Sequence, residues 1–466
     1  MEYISTRDIN KKKHNFVEVL LSGLAPDGGL YVPIKYPLVS AYLGKLRQLE
    51  YPDLAFQIMS LFIGDAISEL QLRSILTKTY HQDVFKTKDI TPVTHLDDHI
   101  YIQDLSSGPS LAFKDIAMQF LGHIMDYVLQ ENDQTLTIVG ASSGDTVSAA
   151  EEAMRGKHNI NVVMLTPKTG MSPFQKAQAG SILEPNIFNL SVPGPFDICQ
   201  DLVKTLNRDN TFKQHYNIGA VNSINWGRIC AQIVYYFKGY FSVTSDNSQH
   251  VDMIVPSGNF GNVLAGYIAK QMGLPIRHLI VATNENRVLD TFVKTGVYQQ
   301  QDVIVTSSPS MDISKASNIE RLFFDLLDQK PSDLCEKMIE FETSKLLDLS
   351  SLHDRLKNHY GFLSDDSNHD QRSQVIQRVY EDHRYIIDPH TAAAVKAAQT
   401  YRDNTGTPML CLETAKPTKF EAAVKEAIGF VPDRPKGFEG LESKEQRFFD
   451  IDASIGSLKS FIIEHF

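Results

Sequence analysis

Short, unbroken apolar runs set off by turn residues dominate the chain from residue 135 onward. TLTIVG (135–140), NINVVMLTP (159–167), NIFNLSV (186–192), VDMIVP (251–256), RHLIVAT (277–283), QDVIVT (301–306) and PMLCLET (408–414) are the clearest. Most are followed by a turn and a segment of helical period. Continuous apolar blocks predict strands buried on both faces, and their alternation with helices predicts parallel sheets covered by helices. Residues 1–95 read differently. Turns there alternate with amphipathic stretches such as DLAFQIMSLFIGDAISELQLRSILTKTY, which predict an N-terminal helical cap. Between about 312 and 380 the pattern becomes helical and heavily charged (DLCEKMIEFETSKLLDLSSLHDRLKNHY), then a polar loop (GFLSDDSNHDQRSQ). This predicts a helical insertion. The expected fold class is α/β, with the cap at 1–95 and two parallel-sheet domains at 96–240 and 241–466.

Composition narrows the function classes. The 466 residues are 42% hydrophobic and 22% charged, an ordinary balance with room for two or three domains. A net charge of −11 argues against a general nucleic-acid surface. Cys199, Cys230, Cys335 and Cys411 lie far apart, without metal-ligand or redox spacing, so free thiols in a reducing compartment are expected. The stretch KKKHNFVEVLLSGLA mimics a signal peptide, but Glu18 interrupts its apolar run and PDGGLYVP turns into a strand. No apolar stretch approaches the ~20 residues of a membrane span. The expectation is a cytoplasmic protein without membrane or metal, and a monomer, since no exposed apolar stripe stands out.

Ligands of open α/β sheets gather at the carboxyl ends of strands, and three such ends here are rich in small polar residues. TIVGASSGDTVSAAEEAMRG (137–156) runs a strand into Ser142, Ser143, Gly144, Asp145 and Thr146 before an alanine-rich helix. Backbone N–H groups and hydroxyls there suit an anion. Simple capping is the alternative, but it needs only one of these residues. DMIVPSGNFGNVLAGYIAKQMG (252–273) places Ser257, Gly258, Asn259, Phe260, Gly261 and Asn262 between strand and helix. Its two glycines permit an anion-binding nest. It lacks both the dinucleotide fingerprint and the Walker lysine, so a phosphate monoester is the expected guest. MLCLETAKPTKF (409–420) ends a strand at Glu413 and Thr414; a plain strand end followed by a proline-started helix explains it equally well.

One lysine stands out. From Ser110 onward Phe113, Ala117, Phe120, Leu121, Ile124 and Met125 recur at helical spacing, with Pro109 and Ser110 as a start signal. Lys114 then falls in the first turn, where the helix dipole disfavours a cation, among mostly apolar neighbours. Dipole and desolvation together favour a neutral amine, which can condense with an aldehyde. An aldehyde carried on a phosphate ester would use both Lys114 and the glycine nest, and pyridoxal phosphate has both groups. The alternative is a lysine whose stem packs and whose head reaches water beside Asp115.

Taken in order, APDGGLYVP, GPSLAFKD, VGASSGDT, AVNSINWGRI, VPSGNFGN, ATNEN, SPSMDI and ETAKPTKF resemble the threonine synthase family, in its longer fungal and bacterial branch. The resemblance spans nearly the whole chain. It implies the tryptophan-synthase-β-like pyridoxal-phosphate fold and the conversion of O-phospho-L-homoserine and water to L-threonine and phosphate. It also implies residue roles. Lys114 would bond the cofactor and move protons. Gly258, Asn259, Phe260, Gly261 and Asn262 would wrap its phosphate, Asp145 would lie near its phenolic oxygen, and Thr414 would approach its pyridine nitrogen. Ser142, Ser143, Thr146, Asn225 and Arg228 would receive the substrate's phosphate, Arg228 as the permanent cation. Domain closure over that phosphate is expected to limit its premature release.

The sequence departs from the family pattern at four positions. Val147 and Asp8 stand where glycine is usual, and Lys416 and Thr418 where histidine and alanine are usual. Lys416 would add a charge near the pyridine end. Two rivals remain at this stage: a phospholyase or dehydratase yielding 2-oxobutyrate, and a non-catalytic binder of a phosphorylated ligand, which would have no need of Lys114.

Overall fold

The computed structural model describes residues 1–141, 145–169, 171–219 and 222–466, and only the backbone of residues 145 and 146. The chain forms two compact units. One contains Met1–Phe113 and Ser223–Asp433, the other Lys114–Asn222 and Arg434–Phe466.

The first unit is built on a six-stranded sheet in the order Phe362–Asp366, Ile276–Thr283, Val251–Pro256, Met409–Glu413, Ile100–Asp104, Val93–Asp97. All pairs are parallel except the last. Every residue of Val251–Pro256 is buried, as the unbroken apolar run predicts. The helix Pro389–Tyr401 packs on this sheet through Ala392, Ala393, Ala394, Ala397 and Ala398, whose small side chains allow close approach to Ile254 and Ile280. The N-terminal helix Tyr51–Ile63 packs on Trp226–Val243, with the Phe62 ring edge-on to Trp226 at 5.7 Å.

The second unit is a five-stranded, all-parallel sheet in the order Phe449–Asp450, Ile187–Val192, Ile160–Pro167, Leu136–Ala141, Ile218–Gly219. Its core joins Val139, Val163, Leu190 and Leu206 to Leu458 and Ile462 of the C-terminal helix Ile455–His465. The two parallel sheets expected from the sequence are therefore present.

The units divide the chain elsewhere than at residues 95 and 240. Val93–Asp97 pairs with Ile100–Asp104 inside the first sheet, and Trp226–Val243 packs on the N-terminal helix. The last 33 residues return to complete the second unit, from Arg434 to Phe466.

Two strand expectations need correction. Phe362–Asp366, read as polar loop within the helical insertion, is an edge strand whose Leu279–Thr283 partners run in parallel register. Its acidic end is tolerated because Lys396 Nζ lies 2.9 Å from Asp365 and the Thr400 hydroxyl donates to Asp365 at 2.8 Å. The segment 301–306, read as a strand, pairs with no strand among the described residues. The Asn286 amide takes a strand's place: its Nδ2 donates to the Ile304 carbonyl and its Oδ1 accepts the Ile304 N–H, both at 2.8 Å. Val303, Ile304 and Val305 are left 47%, 54% and 89% exposed.

Asp252 supplies an electrostatic clamp at the start of the central strand. Its buried carboxylate accepts from Arg277 Nε at 2.9 Å, also from Arg277 Nη2, and from the His278 N–H at 3.1 Å. Burial alone would raise its pKa; Arg277 and His278 outweigh burial and hold it below the ordinary carboxylate value. A depressed folded pKa stabilises above the unfolded value of about 3.9 and is lost as pH falls through the folded one. Asp252→Asn is expected to cost about 1–3 kcal/mol at neutral pH. Urea midpoints measured from about pH 7 to about pH 3 should show the difference shrinking toward the acid end.

Candidate active site

The glycine loop follows the strand Val251–Pro256 and is fixed at its start. The Ser257 N–H donates to the Ala282 carbonyl at 2.9 Å, and the Ser257 hydroxyl to the Val255 carbonyl at 3.0 Å. At Gly258 a Cβ would collide with the Ser310 carbonyl oxygen, so only glycine permits this approach. Phe260 takes φ +63°, a left-handed conformation that costs a non-glycine residue on the order of 1–2 kcal/mol. Its buried ring stacks on Phe362 at 6.0 Å, which holds it there. The helix Gly261–Gln271 starts immediately afterwards with no side-chain cap, which leaves its first-turn N–H groups directed outward.

Asn262, in that first turn, is 5% exposed. Its Oδ1 accepts from the Tyr235 hydroxyl at 2.6 Å and the Tyr236 hydroxyl at 2.8 Å. Its Nδ2 is buried and has no partner among the described residues. An uncapped helix start, a left-handed residue before it and an unpaired amide donor together make a receptor for an oxyanion.

Neighbouring loops hold this receptor. Asn318 donates from its N–H and from Nδ2 to the Asn259 carbonyl, each at 3.1 Å, and from Nδ2 to the Ser223 carbonyl at 3.1 Å. Its Oδ1 accepts from Arg321 Nη1 at 2.6 Å, and Arg321 also donates to the carbonyls of Tyr31 and Ile224. On the other side the Ser310 N–H donates to His390 Nε2 at 3.1 Å, while His390 Nδ1 lies 2.5 Å from Asp388. Nε2 must then accept, so His390 holds its proton on Nδ1 against Asp388.

Arg228 lies in the first turn of Trp226–Val243. It is buried, its Nε lacks a partner, and no carboxylate pairs with it among the described residues. Burial pulls its pKa down to about 10, which leaves it charged at neutral pH. This helix start adjoins the glycine loop: a Cβ on Gly261 would lie 3.6 Å from Ile229 Cδ1. Asn225 caps the same helix. Its Oδ1 accepts the Gly227 N–H at 2.9 Å and its Nδ2 donates to the Leu20 carbonyl at 2.8 Å, so both ends of the amide are engaged.

Thr414 follows the strand Met409–Glu413. Its carbonyl accepts the Phe113 N–H at 2.8 Å, and the Lys416 N–H donates to Leu111 at 3.0 Å. Segment 111–113 is therefore bound to 414–416 up to the residue before Lys114. The Thr414 hydroxyl has no hydrogen-bond partner among the described residues.

The unusual Lys416 is neutralised locally. Its Nζ lies 2.7 Å from Asp104 and 2.7 Å from Glu413, which face each other at the ends of adjacent parallel strands. Burial raises the Glu413 pKa, with Lys416 opposing it; for Asp104, Lys416 overcomes burial and the pKa falls. Thr418 is buried, its hydroxyl donating to the Asp433 carbonyl at 3.3 Å. Asp8 accepts the N–H groups of Asn10 and Lys12 in a surface turn.

In the second unit, Lys114 is the first residue of the helix Lys114–Glu131 and is half-buried. The helix begins there, later than Ser110, because Leu111 adopts φ +60° and 111–113 is extended against 414–416. Ala117, Phe120, Leu121, Ile124 and Met125 form the expected buried stripe. Asp145 and Thr146 open the helix Asp145–Met154, with side chains outside the description, and Ser142 and Ser143 lie outside the described residues. Val147 is fully buried in that helix.

Sequence reading missed Tyr235, Tyr236, Asn318, Arg321, Asp388 and His390. SPSMDI pointed to the Ser310 loop, and Asp-Pro-His at 388–390 is a helix-start signal. The tyrosines sit in an apolar helical stretch and gave no signal.

Three family descriptions match in chain order: threonine synthase N terminus over residues 2–80, pyridoxal-phosphate dependent enzyme over 85–341, and threonine synthase C-terminal over 391–462. A threonine synthase of Methylobacillus glycogenes is 52% identical over 100% of both chains. One of Corynebacterium glutamicum is 46% identical over 100% of this chain and 98% of its own. The crystal structure of PLP-bound threonine synthase from Brucella melitensis superposes with a TM-score of 0.96 at 37% identity, covering 100% of this chain and 99% of the other.

Proposed function

The chain belongs to the threonine synthase family of pyridoxal-phosphate-dependent enzymes, and on that premise we propose that it converts O-phospho-L-homoserine and water into L-threonine and phosphate. When bound, pyridoxal phosphate supplies an electron-withdrawing ring for carbanion chemistry next to the substrate's amino group. Gly258, Asn259, Phe260, Gly261 and Asn262 would hold its phosphate. Thr414 would offer its hydroxyl to the pyridine nitrogen, and Asp145 would serve near the phenolic oxygen. Lys114 would hold the cofactor through its aldehyde at rest and, once the substrate's amino group has displaced it, its freed amine would take and return protons at the substrate's α- and β-carbons.

Arg228, with Ser142, Ser143 and Thr146, binds the phosphate that leaves the γ-carbon. Asn225 contributes by fixing the helix start that bears Arg228. Holding that phosphate until water has added at the β-carbon separates threonine formation from simple elimination. In functional terms, 96–240 carries Lys114 and the groups for the substrate's phosphate, while 241–466 carries those for the cofactor's.

The observation that supports this most directly is that two of the buried donors without partners among the described residues, Asn262 Nδ2 and Arg228 Nε, lie at adjoining helix starts of the first unit. Buried polar groups left unsatisfied are costly unless a ligand completes them. The same reading makes the protein a cytoplasmic monomer acting on a small molecule, in keeping with its four free cysteines. Among the described residues no helix is long and apolar enough to cross a membrane.

Incubation of the purified holoenzyme with O-phospho-L-homoserine should release threonine and phosphate in equal amounts, identified by amino-acid chromatography and a phosphate assay. Accumulation of 2-oxobutyrate instead would make the protein a phospholyase.

A further inference from the structure

We propose that Tyr235 and Tyr236 are positioning residues for the cofactor phosphate, clamping Oδ1 of Asn262 so that Nδ2 is the end presented to the phosphate oxygens. This rests on the reading of the glycine loop as the cofactor-phosphate site.

The amide of Asn262 could in principle sit either way round. Presenting Oδ1 to the loop would set an acceptor against an anion, while presenting Nδ2 adds a donor to the outward N–H groups of the helix start. The two phenols decide between these. Their oxygens lie 2.6 and 2.8 Å from Oδ1, the lengths of O–H···O bonds and short for N–H···O. The Tyr236 hydroxyl also lies 2.9 Å from the Asn262 carbonyl, so its one proton is shared between the side-chain and backbone oxygens of the same residue. Gln232 Oε1, the other acceptor near Tyr235, is at 3.5 Å and competes poorly.

Both tyrosines are fully buried. Burial raises their pKa values well above the ordinary phenol value, so both keep their protons and remain donors. Oδ1 thereby receives two donors, and Nδ2 is left buried without an acceptor among the described residues. Nothing about packing alone requires that outcome. A leucine at 262 would bury more apolar surface without orphaning a donor, whereas an anion at the loop gives Nδ2 its missing acceptor.

The clamp is tested by the affinity of apoprotein for two probes, pyridoxal phosphate and pyridoxal, in Tyr235→Phe, Tyr236→Phe, the double variant and Asn262→Ala. Each phenylalanine removes one oxygen and keeps the ring. The double variant should bind pyridoxal phosphate roughly tenfold more weakly, the scale of one hydrogen bond to a charged group, with pyridoxal affinity unchanged. Each single variant, which keeps one donor on Oδ1, should lose less. Adding Asn262→Ala to the double variant should cost nothing more, since the tyrosines act through that amide.

Equal losses for both probes, or losses that add to those of Asn262→Ala, would overturn the clamp. Should the double variant fail to fold, the same two criteria apply to the single variants. If the wild-type protein itself discriminated nothing between the probes, the glycine-loop assignment would fail instead, which is a separate result.

Discussion

Lys114→Ala is expected to lower turnover of O-phospho-L-homoserine by at least about 10³-fold, because one residue supplies both the cofactor bond and the proton transfers. The visible absorption of the holoenzyme should change. Borohydride reduction and digestion of the wild type should place the pyridoxyl label on the peptide that contains Lys114, and the variant should carry none. The fold should survive, since Lys114 is half-buried at the first position of its helix and alanine is a better helix former.

Two other lysines make this prediction sharp. Lys416 is held by Asp104 and Glu413, and Lys419 Nζ donates to the Ser110 carbonyl at 2.8 Å. Both ammonium groups are engaged in structural contacts. A label on either of their peptides would overturn the assignment of Lys114.

Lys416→Met is expected to be the most destabilising of the single substitutions considered, by about 3–5 kcal/mol, because it leaves two carboxylates facing each other without their cation. Glu413 is almost wholly buried, and its other oxygen accepts from the Tyr385 hydroxyl at 2.5 Å, so it cannot turn to water. The pH dependence has a definite sign. In the wild type, Lys416 has a raised pKa, so its contribution is fully present below the unfolded lysine value and is lost only at high pH. In the variant both carboxyls gain a reason to stay protonated, so the deficit should shrink as pH falls below about 5. Urea unfolding of the two proteins across that range measures it. A deficit that is small, or constant with pH, would show that the triad contributes little.

The buried parallel strands were legible because each is a continuous apolar run bounded by turn residues. Val251–Pro256 matches its expected bounds, and Leu136–Ala141, Ile160–Pro167, Ile187–Val192, Ile276–Thr283 and Met409–Glu413 lie within one residue of theirs. Edge strands carry no such signal. Phe362–Asp366 ends in two aspartates, Asp365 matched by Lys396 and Thr400 and Asp366 by Arg287, residues thirty or more positions away in sequence. The segment 301–306 has the apolar run without the strand because the Asn286 amide meets its backbone first.

The candidate site shows the same division. The glycine loop and Lys114 stand out by residue type and position. Lys416 looked like an intruder because only the register of Met409–Glu413 against Ile100–Asp104 brings Asp104 beside it. Tyr235 and Tyr236 belong to a buried helix, where an aromatic pair reads as packing until Asn262 is seen against their hydroxyls.

The threading of the two units also governs how the protein is made. Residues 114–222 emerge while the first unit still lacks 223–433, and they themselves lack 434–466. At about 5–20 residues per second the strand Ile187–Val192 keeps an open edge on the ribosome for roughly ten to fifty seconds. Only the stretch after residue 434 supplies its neighbour Phe449–Asp450. Nascent chains stalled before residue 434 should therefore recruit chaperones or protease where chains that include 434–466 do not, and a stop codon at or before codon 434 should act as a loss of the whole second unit.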